Sequence, residues 1–280
     1  MEFHLYRIKV EKPAFLPLFP DNSVVPSPRS LILSAIDEKP ARDIRRGESW
    51  RLGNIEKLSG HEIFFALGKI TDAKLDLYDE ASGDFMQKSL EEAPHTYVAI
   101  DLKYQICAIA KKTRMASNVD GIAKSLSELL SSTKIADLTG IKFVLPKIYD
   151  PQEFLSIVRN AERISRFTMS FSPPNPWDVE KDFHGPMEHL LRESSAEVGK
   201  TTIQGESLRR TVVEELARSA ASTGNKASAK LVPSEGGRLV TKYIGRNPAL
   251  VDVNEIQSSK SRRELFEGMI QIYRRIREPG

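Results

Sequence analysis

With 280 residues, 40% of them hydrophobic and 28% charged, the chain has the composition of a folded globular protein, which excludes wholesale disorder. A single cysteine, Cys107, excludes an internal disulfide framework and fits a reducing cytoplasm, and no stretch supplies the roughly 18 apolar residues of a membrane helix. Net charge is only +3, but it is unevenly held: residues 199–280 carry 15 Lys/Arg against 9 Asp/Glu (+6), and residues 1–198 carry 26 against 29 (−3).

In chain order, Tyr6, Ile8 and Val10 alternate with Arg7, Lys9 and Glu11, which predicts a half-buried strand. Residues 12–28 hold five prolines and read as an irregular excursion, followed by a short helix over Ser30–Ile36 that ends near Pro40. A strand-rich block comes next: Trp50–Leu58, then Ile63, Phe65 and Leu67, then Leu75 and Leu77 beyond a bend near Gly68. The apolar run Tyr97–Ala110 is broken by a polar interruption at Asp101–Gln105, which predicts two antiparallel strands joined there. Cys107 lies inside that run and reads as a packing thiol.

The period then changes. Ile122, Leu126, Leu129 and Leu130 share a helical face over 118–132, with Asn118 or Asp120 as cap. Ile141, Phe143 and Leu145 predict a strand, Asp150-Pro151 a helix start with proline in the first helical position, and Phe167, Met169 and Phe171 a further strand. The cluster Pro173-Pro174-Asn175-Pro176 marks the expected division into lobes 1–172 and 173–280. Beyond it the pattern predicts helices over about 178–194 and 207–222, a turn over 221–226, a hairpin of 227–232 with 238–243, and a last helix over about 258–277. The apolar stripe of that helix, Leu265, Met269, Ile272 and Ile276 with Phe266, Ile270 and Tyr273 beside it, reads either as core or as a self-association surface.

Catalytic patterns fail one by one. Gly199-Lys200-Thr201 ends like a phosphate-binding loop, but the first glycine is replaced by Ser194 and a helix is expected before it. His184 and His189 stand five apart with Gly185-Pro186 between them, and His4, His61 and His95 are scattered, so no metal site and no cofactor is expected. No Gly-x-Ser-x-Gly elbow is present. Glu91-Glu92 and Glu214-Glu215 read as helix-surface pairs. The best enzymatic alternative is a Mg²⁺-dependent nuclease with Asp76 and Asp101 as metal carboxylates and Lys103 assisting the water.

The basic third points elsewhere. Arg209 and Arg210 stand at a helix start, Lys226 and Lys230 enter a strand, Arg238, Lys242 and Arg246 follow the hairpin, and Arg262, Arg263, Arg274 and Arg275 lie on the last helix. Several cations on one surface release counterions condensed on a phosphate backbone, and the arginine fork fits phosphate oxygens. Aromatics are not interleaved with these residues, so contact with a duplex backbone fits better than stacking on single strands.

The stretch Ala93–Asp101, then Gln105–Ala110, then a helix opening near Asp120, resembles the middle of the RexA family of phage-exclusion proteins, and so does the ending, Asn254-Glu255-Ile256 before a terminal helix rich in aromatics and arginines. The Ser172–Pro176 turn and the Asn225 turn are similar to the DNA-binding subunit of Kiwa antiphage systems. The resemblance runs over 90–280 as a pattern and assigns no binding residues. It implies a dimeric, non-catalytic sensor of duplex DNA in antiviral defence, with a second protein as effector.

The expectation is therefore an α+β protein with an antiparallel, sheet-rich N-terminal lobe and a more helical, basic C-terminal lobe. It would be cytoplasmic and not inserted in a membrane, and would bind double-stranded DNA without sequence preference, as a self-associating accessory subunit. The alternatives are the nuclease and an adaptor that holds a protein through the last helix.

Overall fold

A computed structural model describes residues 1–11, 26–45, 48–171, 190–191, 193–194, 196 and 198–278. Among these, the strands are β1 (Glu2–Arg7), β2 (Lys9–Glu11), β3 (Ala41–Arg45), β4 (Glu48–Lys57), β5 (Glu62–Asp79), β6 (Asp84–Glu92), β7 (His95–Asp101), β8 (Ile106–Ala110), β9 (Lys142–Val144), β10 (Arg163–Phe171), β11 (Gly199–Gln204), β12 (Ala227–Val232), β13 (Val240–Tyr243) and β14 (Leu250–Asp252). The helices are α1 (Pro28–Asp37), α2 (Val119–Leu130), α3 (Lys134–Thr139), α4 (Gln152–Asn160), α5 (Arg210–Thr223) and α6 (Ser259–Arg277). The protein is α+β. Its sheets are antiparallel throughout, in the orders β14-β1-β8-β7-β5-β4-β3, with β6 added to β5, and β11-β10-β12-β13; β2 and β9 form a separate pair.

The inner strands of the large sheet, β1, β8, β7 and the first half of β5, are covered on both faces. Tyr6, Ile63, Phe65, Val98, Ile100, Cys107 and Ile109 pack with α1 and α2, whereas Phe3, Leu5, Phe64, Ala99, Ile106 and Ala108 pack with α6. This corrects the half-buried reading of the first strand. Arg7 and Lys9 are both buried, and the Arg7 guanidinium donates to the Tyr104 carbonyl and the Tyr273 hydroxyl, which satisfies charge on the side assigned to water. Local chemistry sets the helix starts: Ser27 accepts from Ser30 N at 3.2 Å with Pro28 in the first turn, and Asn118 accepts from Gly121 N at 2.8 Å.

The stripe of α6 is core, not a free surface. Leu265, Phe266, Met269, Tyr273 and Ile276 are buried, and Ile270 and Ile272 are half-buried. Each large apolar side chain removed from water in this way contributes roughly 1.5–3 kcal/mol. The protomer itself covers that stripe, so an adaptor or dimer contact would use another surface.

Among the described residues the small sheet is covered on one face. Phe167, Met169, Ala229 and Leu231 pack with Phe154, Leu155 and Val158 of α4 and Val213, Ala217 and Ala220 of α5. Buried Arg218 of α5 donates to the carbonyls of Arg275, Ile276 and Glu278, which ties this unit to the C-terminal end of α6. Helix α5 ends at Gly224 with φ +71°, where a Cβ would stand 2.6 Å from Pro146 Cβ, so only glycine closes the turn.

Both large assemblies draw on strands from either side of the 172/173 division: β10 pairs with β11 and β12, and β14 pairs with β1. The proline cluster and most of the expected 178–194 helix lie outside the described residues. Four local expectations change. No bend falls at Gly68, which pairs with Arg51 on one side and His95 on the other. Pro151 caps α4 instead of opening it. Ala221, Ser222 and Thr223 extend α5 and leave the turn to begin at Gly224. Glu91 and Glu92 sit on β6, a strand with no place in the sequence reading.

Strand β6 pairs only with the outer half of β5, from Thr71↔Glu92 to Asp79↔Asp84. The result is a two-stranded arm about 30 Å long at 3.3 Å per residue. Its side chains are mostly exposed, Phe85 to 84%.

Candidate nucleic-acid interface

The uncovered face of the small sheet follows from strand parity. Phe167 and Met169 point to the helices, so Arg166, Thr168 and Ser170 of β10 point away from them. Register carries this across the sheet: Arg166 lies opposite Gln204 and Lys230, Thr168 opposite Thr202 and Ser228, and Ser170 opposite Lys200. Thr241 and Tyr243 of β13 continue the rows beside Lys230 and Ser228. Lys226, one residue before β12, has the parity of Ser228 and Lys230, and Arg163 stands at the end of β10 beyond a bulge.

This face carries five cations, Arg163, Arg166, Lys200, Lys226 and Lys230, among hydroxyls and amides, and no carboxylate occupies any of its strand positions. Arg166 donates through Nε and Nη2 to Gln204 Oε1 at 3.1 and 2.8 Å, which holds the guanidinium flat along the strands. Among the described residues no ion pair engages Arg166, Lys200, Lys226 or Lys230. Arg166 and Lys230 are direct cross-strand neighbours, an arrangement in which like charges repel. Thr168 and Thr202 share a hydrogen bond of 3.1 Å at the centre, and among the described residues the only aromatic at a strand position of the face is Tyr243 at its edge.

The eleven cations expected from sequence do not converge. Lys226 and Lys230 belong to the open face. Arg209 and Arg210 stand at the start of α5, where Arg210 donates to the Ala161 and Glu162 carbonyls. Arg238 is exposed near the turn before β13. Lys242 has the opposite parity to Thr241 and Tyr243, so it faces the helices and lines a cleft with Arg246, Asp150 and Glu153. On α6, Arg262 pairs with Glu56 over the Phe64 ring, Arg274 donates to Tyr104 Oη at 2.7 Å, and Arg275 pairs with Asp150 at 2.8 Å. These three arginines fasten the helix to its surroundings; among the described residues Arg263, alone of the four, has no such partner.

Sequence reading missed Arg163, Arg166 and Lys200. The first two fall in the part of the chain whose net charge is negative. Lys200 reads from sequence only as the end of a phosphate-binding loop. Gly199 in fact begins a strand, where a Cβ would collide with the ring of Phe171 on the neighbouring strand.

The nuclease constellation is not assembled. Asp101 lies opposite Glu62, and Asp76 is fourteen residues further along the same strand β5, about 46 Å away at 3.3 Å per residue. Asp101 is fully buried, and burial pushes its carboxyl above the usual range, offset in part by the Tyr104 N–H and His61. Burial also pushes the Cys107 thiol up, as its packing role requires.

No protein-family model matches this chain, and no match is found among curated proteins. Among the described residues no helix is long and apolar enough to cross a membrane.

Proposed function

We propose that the protein binds nucleic acid, with double-stranded DNA as the favoured form, through the open face of the small sheet. One observation carries the reading: Arg166 and Lys230 are held side by side, with Lys200 and Lys226 in neighbouring rows, and among the described residues no carboxylate at a strand position of the face balances them. Such an arrangement costs stability in isolation and is relieved by a polyanion. The hydroxyls of Thr168, Ser170, Thr202 and Ser228 add neutral donors of the kind that position a phosphate backbone. A stacking platform for single strands would need aromatics in the central rows, where this face has hydroxyls and cations. Binding through phosphates alone is independent of base sequence. An accessory role beside a separate effector in antiviral defence, implied by the resemblance, is compatible with such a surface.

The test is a titration of a labelled DNA duplex at several salt concentrations, with and without Mg²⁺, with the DNA examined for cleavage. Five phosphate contacts at a slope of about −0.9 each predict an affinity loss of roughly 10²- to 10³-fold between 50 and 200 mM salt, with the DNA left intact. Binding unchanged at 0.5 M salt, or absent at the lowest salt, would overturn the reading.

A further inference from the structure

At the end of β5 farthest from the arm, the large sheet gathers three metal-ligating side chains. His61, Glu62 and Asp101 each supply one ligand atom, and the three atoms lie within 4.8 Å of one another. The backbone dictates the meeting. Glu62 and Asp101 are direct register partners, so their side chains leave the same face of neighbouring strands. Leu102 N donates to the His61 carbonyl at 2.7 Å, which draws the loop before β5 against the turn after β7.

That geometry leaves a chemical need unmet. Two carboxylates directly opposite in a strand pair repel each other. Asp101 is wholly buried. Its Oδ1 accepts from Tyr104 N at 2.7 Å, as a turn requires, but its Oδ2 accepts no hydrogen bond and points toward His61 Nε2, 4.0 Å away. A buried carboxylate oxygen without a partner calls for a cation. His61 and Glu62 are only partly buried, so an ion has a path in from solvent.

We propose that His61, Glu62 and Asp101 form a binding site for one divalent transition-metal ion of the Zn²⁺ or Mn²⁺ class. The mixed set of one imidazole and two carboxylates suits these ions, whereas Mg²⁺ and Ca²⁺ favour shells made of oxygen alone. Three protein ligands leave a fourth position to water. The bound ion joins the loop before β5 to the Asp101–Gln105 turn. That turn also takes the Arg7 guanidinium on the Tyr104 carbonyl and Arg274 on the Tyr104 hydroxyl, so the metal braces the contact between the sheet and α6. This role is independent of nucleic-acid binding on the other sheet.

The experiment is a Zn²⁺ titration of the full chain, stripped with a chelator, in competition with a chromophoric chelator and followed in parallel by thermal melting. One Zn²⁺ per chain and a raised melting temperature are expected. His61→Ala and Glu62→Gln, both at partly exposed positions, should each weaken binding at least tenfold and remove the thermal shift without unfolding the apo protein. Asp101→Asn should do the same if it folds. A His184→Ala, His189→Ala double variant should bind like the parent. Absence of stoichiometric binding, affinity unchanged in both His61→Ala and Glu62→Gln, or loss confined to the His184/His189 variant would each overturn the proposal.

Discussion

Two exposed β surfaces of this molecule carry opposite charge. The open face of the small sheet holds five cations and no acid on its strand positions. The arm formed by β6 and the outer half of β5, residues 71–92, holds seven acids against two lysines, a balance of −5. A whole-chain charge of +3 hides both. The difference teaches that partner chemistry is written in register. On the proposed reading a polyanion would be drawn to one surface and repelled by the other, and the segment balances mix the two. The surfaces differ in support as well: the small sheet rests on α4 and α5, whereas among the described residues the arm beyond Thr71 forms strand pairs only within itself.

The arm also has an apolar row in which Leu75, Met86 and Leu90 are exposed and Leu77 is half-buried, in contrast with the covered row of α6. The largest effect should come from testing that contrast. Met269→Glu places a charge in a fully buried position and should cost about 4 kcal/mol or more in chemical denaturation, while Met86→Glu on the arm should stay within about 0.5 kcal/mol. Equal effects would break the distinction. Next, replacing Arg166, Lys200 and Lys230 together by Gln should weaken duplex binding more than tenfold at about 0.1 M salt and lower the salt slope by about 2.7. The same change at Arg262, Arg274 and Arg275 should act on stability first.

A smaller effect concerns acid. Burial pushes the Asp120 carboxyl up, but Lys147 at 2.6 Å and the Tyr6 hydroxyl outweigh it and hold it below the usual range. A depressed folded-state value contributes stability that is present above the unfolded value, near 3.9, and is lost as pH falls through the folded one. Urea melts of Asp120→Asn should therefore show a weaker decline in that acid window than the parent does. The smallest effect should follow from excising the arm. Joining residues 73 and 90 by a short turn should leave the melting temperature within about 2 °C and duplex affinity unchanged or raised a few-fold. A fall in affinity would move the nucleic-acid contact to the arm.

Much of the fold was legible in the sequence where one face of an element is buried. The polar interruption at Asp101–Gln105 revealed the β7–β8 hairpin, and the spacing of Ile122, Leu126 and Leu129 revealed α2. Strand β6 was illegible because an arm without a buried side imposes no clear apolar period, and Glu91-Glu92 alone suits a helix surface equally well. The candidate interface was half legible. Lys226 and Lys230 were found by charge, but Lys242 differs from Thr241 and Tyr243 only in parity, and parity acquires meaning only once β13 is registered on β12. Arg166 joins them through a strand 64 residues earlier in the chain than Lys230, a pairing that no local pattern records. The same holds for His61 and Asp101, scattered in sequence and neighbours in the sheet.

The position of β14 beside β1 has a consequence for how the protein is made. Phe3 pairs with Ala110 on one side and Val251 on the other, and its cluster includes α6. At a ribosomal rate of about 5–20 residues per second, the first strand waits on the order of 10–50 s for its second neighbour. Until then the nascent chain exposes Phe3, Leu5, Ala108 and Phe64 as an apolar, half-paired sheet face. The growing polypeptide therefore carries that face uncovered until α6 is made, and truncated products that stop before residue 250 should aggregate where the full chain does not.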